Sequence, residues 1–143
     1  MNIAFFLIPK SEIAFLSTEC TMRQALERME YHGYTAVPLI DKKGKYVGTI
    51  TEGDLLWQLK KLMGSNLAVT EKILLKDIPR RNQNKPVQIN ARLEELLSLA
   101  ITQNFVPIVD DFGVFIGIIR RREIIEYYAG CLFPRRETNV KSQ

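Results

Sequence analysis

Two short stretches hold the side chains best placed to do chemistry. Thr51-Glu52-Gly53-Asp54 and Arg120-Arg121-Arg122-Glu123 each stand where a strand-like run gives way to a helix-like one. The first N–H groups of a helix have no partner within it. A hydroxyl and a carboxylate spaced like Thr51 and Asp54 can satisfy them as a cap. The same pair can instead contact a phosphate through Thr51 and accept hydrogen bonds from ribose hydroxyls through Asp54. The arginines are harder to explain by stability. Cations at a helix start oppose the macrodipole, by a few tenths to about 1 kcal/mol each. A phosphate set among Arg120, Arg121 and Arg122 would remove that penalty, because helix starts favour anions and guanidinium groups grip phosphate with two N–H bonds. The competing reading is a solvated cluster paired with Glu123 or Glu126.

Other chemistries find little to build on. His32 is the single histidine, and Cys20 and Cys131 form no CxxC pair, so a metal centre is not expected. There is no phosphate-binding glycine loop and no nucleophile–base pair, so neither an enzyme nor a bound cofactor is expected, and no residue is assigned a catalytic role. The net charge is +4, with the first 71 residues balanced at 8 basic and 8 acidic and the rest carrying 12 and 8. That excess is modest, and no helix-turn-helix or aromatic–basic RNA motif accompanies it, which makes a nucleic-acid binder the weaker reading. No apolar run approaches the ~18 residues of a membrane span. The run Ile3–Pro9 lacks the flanks of a signal peptide. A cytoplasmic protein with reduced thiols is expected. Arg80–Arg81 and Arg135–Arg136 read as solvated linker and tail pairs, and His32, just before Gly33, as a helix-end cap.

The elements that must position these groups come from a repeat. TAVPLIDKKGKYVGTITEGDLLWQL, Thr35 to Leu59, aligns with NFVPIVDDFGVFIGIIRRREIIEYY, Asn104 to Tyr128, at a constant offset of 69. Pro38, Asp41, Gly44 and Gly48 match Pro107, Asp110, Gly113 and Gly117. Upstream, Met22, Ala25, Leu26 and Met29 match Leu93, Leu96, Leu97 and Ala100 at an offset of 71. Each copy predicts an extended segment (Ile13–Leu16 or Val87–Ile89) and an amphipathic helix capped by Thr21 or Asn90. A hairpin turning on DKKG or DDFG follows, and then a second helix from near Asp54 or Glu123. The strands are apolar at consecutive positions, so both faces need cover. The expected fold is α+β, with two pseudo-twofold copies packed through their sheets. The expected division is 6–63 for the first copy, 64–77 for a linker, 78–130 for the second copy and 131–143 for a flexible basic tail. Apolar residues around 55–63 and 124–128, with Trp57 beside them, suggest a homodimer face.

The order strand–helix–strand–strand–helix, the proline in the first core strand, Asp-x-x-Gly at the hairpin and Gly48-Thr-Ile-Thr51-Glu-Gly-Asp54 before the last helix resemble the CBS motif. Two in tandem resemble a CBS pair, or Bateman module, over roughly residues 6–130. GYTAVP (33–38), LLKDIPR (74–80) and the Arg121–Arg122 pair are similar to the small stand-alone CBS proteins of Firmicutes that bind cyclic di-AMP. Where that group usually has Thr before the pair, this chain has Arg120. The resemblance implies a regulatory protein that binds an adenine nucleotide, cyclic di-AMP favoured, between the copies and signals to a protein partner. AMP, ADP or ATP sensing and a non-sensing interaction module are the alternatives. Glu123 stands where Asp54 stands in the other copy, which makes the two clefts chemically unequal; one strong site is expected, with Arg120, Arg121 and Arg122 facing a wall of Glu12 to Ala14, Tyr34, Thr35 and Ala36. Ala14 and Ala36 are small enough to admit an adenine face, and Tyr34 can either stack on it or serve as a half-buried strand residue. Thr51 and Asp54 would belong to a second site.

Overall fold

A computed structural model describes residues 2–81 and 83–133 of the chain. Its strands are β1 (Ile8–Pro9), β2 (Leu16–Ser17), β3 (Ala36–Ile40), β4 (Tyr46–Thr51), β5 (Val87–Gln88), β6 (Phe105–Val109) and β7 (Phe115–Arg120). Its helices are α1 (Met22–His32), α2 (Glu52–Lys61), α3 (Leu93–Ala100) and α4 (Arg121–Leu132). The mixed α+β architecture and the paired copies are those the repeat predicts. In each copy a parallel strand pair and an antiparallel hairpin share a strand, β2–β3–β4 in the first and β5–β6–β7 in the second.

Local chemistry sets the element ends. The Thr21 hydroxyl accepts from Gln24 N–H at 3.2 Å while Gln24 Oε1 accepts from Thr21 N–H at 2.9 Å, a reciprocal cap. Gly33, in the left-handed region at φ 69°, ends α1, with His32 in its last turn. In the hairpins, Asp41 Oδ1 accepts from the N–H groups of Lys43 and Lys45, and Asp110 Oδ1 from those of Phe112 and Val114. Gly44 at φ 82° and Gly113 at φ 81° then turn the chain as no L side chain readily would.

Three cores result. Leu16, Met22, Leu39, Ile50 and Leu55 fill the first copy; Leu93, Leu96, Val106, Ile119 and Ile124 fill the second. Ile40, Phe105, Phe115 and Ile118 form a third where the two sheets meet. There Phe115 N–H donates to Gly44 O at 2.9 Å, tying one hairpin to the other.

Four expectations change. Asn90 is not the cap of α3; that place falls to Arg92, which makes no side-chain cap bond. The 71-residue offset explains this, since Arg92 and not Asn90 is the counterpart of Thr21. The 64–77 stretch is more than a connector, because Leu75 is fully buried and packs, with Ile78, in the first core. Helix α4 runs past residue 130 to Leu132; the basic tail 134–143, with Arg135–Arg136, lies outside the described residues. The run Ile3–Pro9 belongs to the second copy: β1 pairs antiparallel with β7, Ile8 opposite Ile118, and Ile3 is fully buried in the second core. Gly117 permits this approach, because a Cβ there would run into the carbonyl oxygen of Ile8.

Candidate functional site

The 69-residue offset makes the starts of β3 and β6 counterparts, and each is tied to the start of the last helix of its own copy. Glu52 N–H donates to Thr35 O, and its counterpart Arg121 N–H donates to Asn104 O, both at 2.9 Å. Two clefts flank this centre.

The first has a volume of about 640 Å³ and a largely apolar wall. Ala14, Tyr34, Thr35 and Ala36 of the first copy and Arg120, Arg121 and Arg122 of the second line it. Ile13 is among the lining residues and Glu12 is not; Glu12 ends a 3-10 turn, Lys10–Glu12. Arg121 is fixed by its Nε–H, which donates to Gln103 O at 2.8 Å. Arg122 donates to Glu126 Oε1 at 2.9 Å, a hydrogen bond that raises its already high pKa. The solvated-pair reading therefore describes Arg122 in part, whereas Arg121 is held by a backbone carbonyl and pairs with no carboxylate among the described residues. Tyr34 is half-exposed and stacks on His32, with ring centroids 5.4 Å apart. That contact covers one face of the phenol ring.

Ala14 has an edge of its own. The β2–β3 pairing runs Leu16↔Leu39 and Ser17↔Ile40, so extending it toward Ala14 needs an N–H at position 38. Pro38 has none. Among the described residues neither the N–H nor the carbonyl of Ala14 has a hydrogen-bond partner.

The second cleft, about 530 Å³, is polar, with Thr51, Arg81, Lys85 and Arg121 on its walls. Asp54 does not line it. This carboxylate is buried, accepting from Thr51 N–H at 3.0 Å through Oδ2 and from Arg81 N–H at 3.1 Å through Oδ1, while Thr51 Oγ1 accepts from Asp54 N–H at 3.1 Å. The capping reading of Thr51 and Asp54 thus has complete geometry. Arg80 and Arg81 are not a free solvated pair. Arg81 lies over the Trp57 ring at 5.0 Å, and the Arg80 guanidinium covers Gly48. Asn104 and Gln103 were not picked out from the sequence, although the offset that aligns them with Thr35 and Tyr34 marks both.

Tyr46 borders this region. Its hydroxyl donates to Asn84 O at 2.7 Å and lies 2.8 Å from Thr49 Oγ1. Burial pushes the phenol up to about 12, against smaller lowering by the Thr49 bond and the Arg80 charge. Below pH 10 the proton is bound in both folded and unfolded chains. Above it the unfolded chain loses the proton first, so stability falls as pH rises from 10 through 12. The melting temperature of wild type is expected to drop more steeply over that range than that of Tyr46→Phe; parallel slopes would show that the phenol does not contribute.

Two like α+β copies joined through their sheets, with paired clefts at the junction, define a tandem-repeat module. The chain belongs to the CBS domain family, whose model matches residues 7–61 and 75–130. It is 26% identical over 130 residues to cyclic di-AMP receptor B of Bacillus subtilis, covering 87% of this chain and 84% of the receptor. It is 24% identical over 110 residues to L-aspartate semialdehyde sulfurtransferase of Methanocaldococcus jannaschii, but spans only 20% of that enzyme. Among solved structures, CbpB in complex with c-di-AMP superposes with a TM-score of 0.80 at 22% identity, over 92% of this chain and 87% of that one. CBSX2 in complex with AMP superposes at 0.68 and 23% identity, over 92% and 98%. No helix among the described residues is long and apolar enough to cross a membrane.

Proposed function

We propose that this chain is a regulatory sensor that binds an adenine nucleotide, cyclic di-AMP favoured, in the first cleft. The observation that carries the reading is the arginine cluster at the start of α4. Arg120, Arg121 and Arg122 face the small Ala14 and Ala36 across a cleft large enough for a nucleotide. Phosphate would sit on Arg121 and Arg122, where the helix start also favours an anion. The base would enter between the alanines, with its edge against the unpaired N–H and carbonyl of Ala14. The similarity to cyclic di-AMP receptor B supports this choice of ligand. The AMP-bound CBSX2 neighbour keeps AMP as the second reading. Bound nucleotide would change a surface read by a protein partner, which requires different affinity for two states of the module. A homodimer is proposed through the half-exposed Leu56, Trp57 and Ile125 of α2 and α4. No turnover of bound nucleotide is proposed.

The test is a thermal-shift panel of cyclic di-AMP, AMP, ADP, ATP and guanine nucleotides on nucleotide-free protein. Cyclic di-AMP is expected to give the largest rise. A panel in which no adenine nucleotide moves the melting temperature would leave the chain with an interaction role only.

A further inference from the structure

The repeat register assigns every part of one cleft a counterpart in the other, and at one place the two differ sharply. Lys85 is the counterpart of Ala14 and Gln103 that of Tyr34. The proline that frees the Ala14 carbonyl recurs as Pro107, with β5–β6 paired Val87↔Ile108 in the same register as β2–β3. Yet the Lys85 edge is not free. Gln103 Oε1 accepts from Lys85 N–H at 2.8 Å, and Gln103 Nε2 donates to Lys85 O at 3.1 Å. Gln103 is 5% exposed. Its carboxamide sets an acceptor beside a donor. Adenine presents the same pairing of a ring-nitrogen acceptor with an exocyclic amino donor, so either group can make two bonds to an N–H and a carbonyl side by side.

We infer that Gln103 occupies the second cleft from within the chain, its carboxamide standing where a base edge would pair, so that each chain offers a single base-binding cleft. This rests on the reading of the first cleft as a nucleotide site. Asn84 completes the closure, its Nδ2 donating to Phe105 O at 3.1 Å; the counterpart of Asn84 is the apolar Ile13. In the first cleft Tyr34 has no carboxamide to offer, and its ring is stacked on His32. The Gln103 carbonyl also holds Arg121, so the residue that closes one cleft positions the cation of the other.

AMP titration calorimetry and residue-resolved amide hydrogen exchange test this together. Wild type is expected to bind one AMP per chain. Its Lys85 amide should be protected before AMP is added and unchanged afterwards, while the Ala14 amide gains protection only with AMP. Gln103→Ala is expected to expose the Lys85 amide and raise the stoichiometry to two. Two AMP per wild-type chain, AMP-dependent protection of Lys85, or a folded Gln103→Ala variant that still binds one would each overturn the inference. If Gln103→Ala does not fold, the two wild-type amides decide. If wild type takes up no adenine nucleotide, the nucleotide reading is what fails. Gln103 is then judged on the Lys85 amide alone: protection supports the closure, and exchange as fast as at Ala14 overturns it.

Discussion

Replacing Arg121 and Arg122 together by alanine is expected to abolish most of the melting shift that cyclic di-AMP gives the wild-type chain. A ligand at about 100 times its dissociation constant stabilises a fold by about 2.7 kcal/mol. For a domain of this size that is a rise of roughly 5–15 °C. Both guanidinium groups line the first cleft at the start of α4, and their loss removes the two-pronged grip on phosphate. The macrodipole argument alone would leave the unliganded double variant as stable as wild type. The structure changes that expectation, because Arg121 donates to Gln103 O and its removal costs about 1 kcal/mol for a lost hydrogen bond. The Arg122–Glu126 pair is exposed and adds little. The unliganded variant should therefore melt a few degrees below wild type, on the order of 3–5 °C. A double variant that keeps the full cyclic di-AMP shift would place the phosphates elsewhere, with the Thr51 cleft next in line.

Asp54→Ala is expected to lower the melting temperature by about 10 °C. Its two oxygens accept from Thr51 N–H and Arg81 N–H in a buried setting. Loss of the cap and of the part-buried Arg81 N–H bond together cost about 3 kcal/mol. The nucleotide-induced shift, measured from the lowered baseline, should stay as large as in wild type. An Asp54→Ala variant of normal stability with a lost nucleotide shift would instead make Asp54 a ribose ligand.

The repeat made most of the fold legible. Identical types at fixed offsets mark turns, because Asp41 and Asp110 accept the same backbone N–H groups and Gly44 and Gly113 take the same left-handed turn. The arginine cluster was legible because its charge contradicts its place on a helix. What stayed hidden depended on contacts made far along the chain. Nothing local in Ile3–Pro9 says that it pairs with β7, and nothing local in Arg81 says that its N–H reaches Asp54. Of the segment Glu12 to Ala14 taken as the first-cleft wall, Ile13 and Ala14 line the cleft and Glu12 does not, because it ends the 3-10 turn Lys10–Glu12. Gln103 was passed over for a different reason: a lone glutamine carries no signature until its partner, a main-chain edge, is in view.

The placement of β1 governs the order in which the module can be finished. Ile8 meets Ile118 across roughly 110 residues of chain, a closure among the slowest kinds to form because loop entropy is lost before any contact repays it. During synthesis the first copy can gather its helices and hairpin early, while Ile3–Pro9 has no partner strand until β7 emerges. The second copy alone would present β7 as an open edge and a hollow where Ile3 belongs. A cut within 64–77 therefore does not yield two independent halves. Ile3–Pro9 thus acts as a latch between the first copy, which it precedes, and the outer edge of the second-copy sheet.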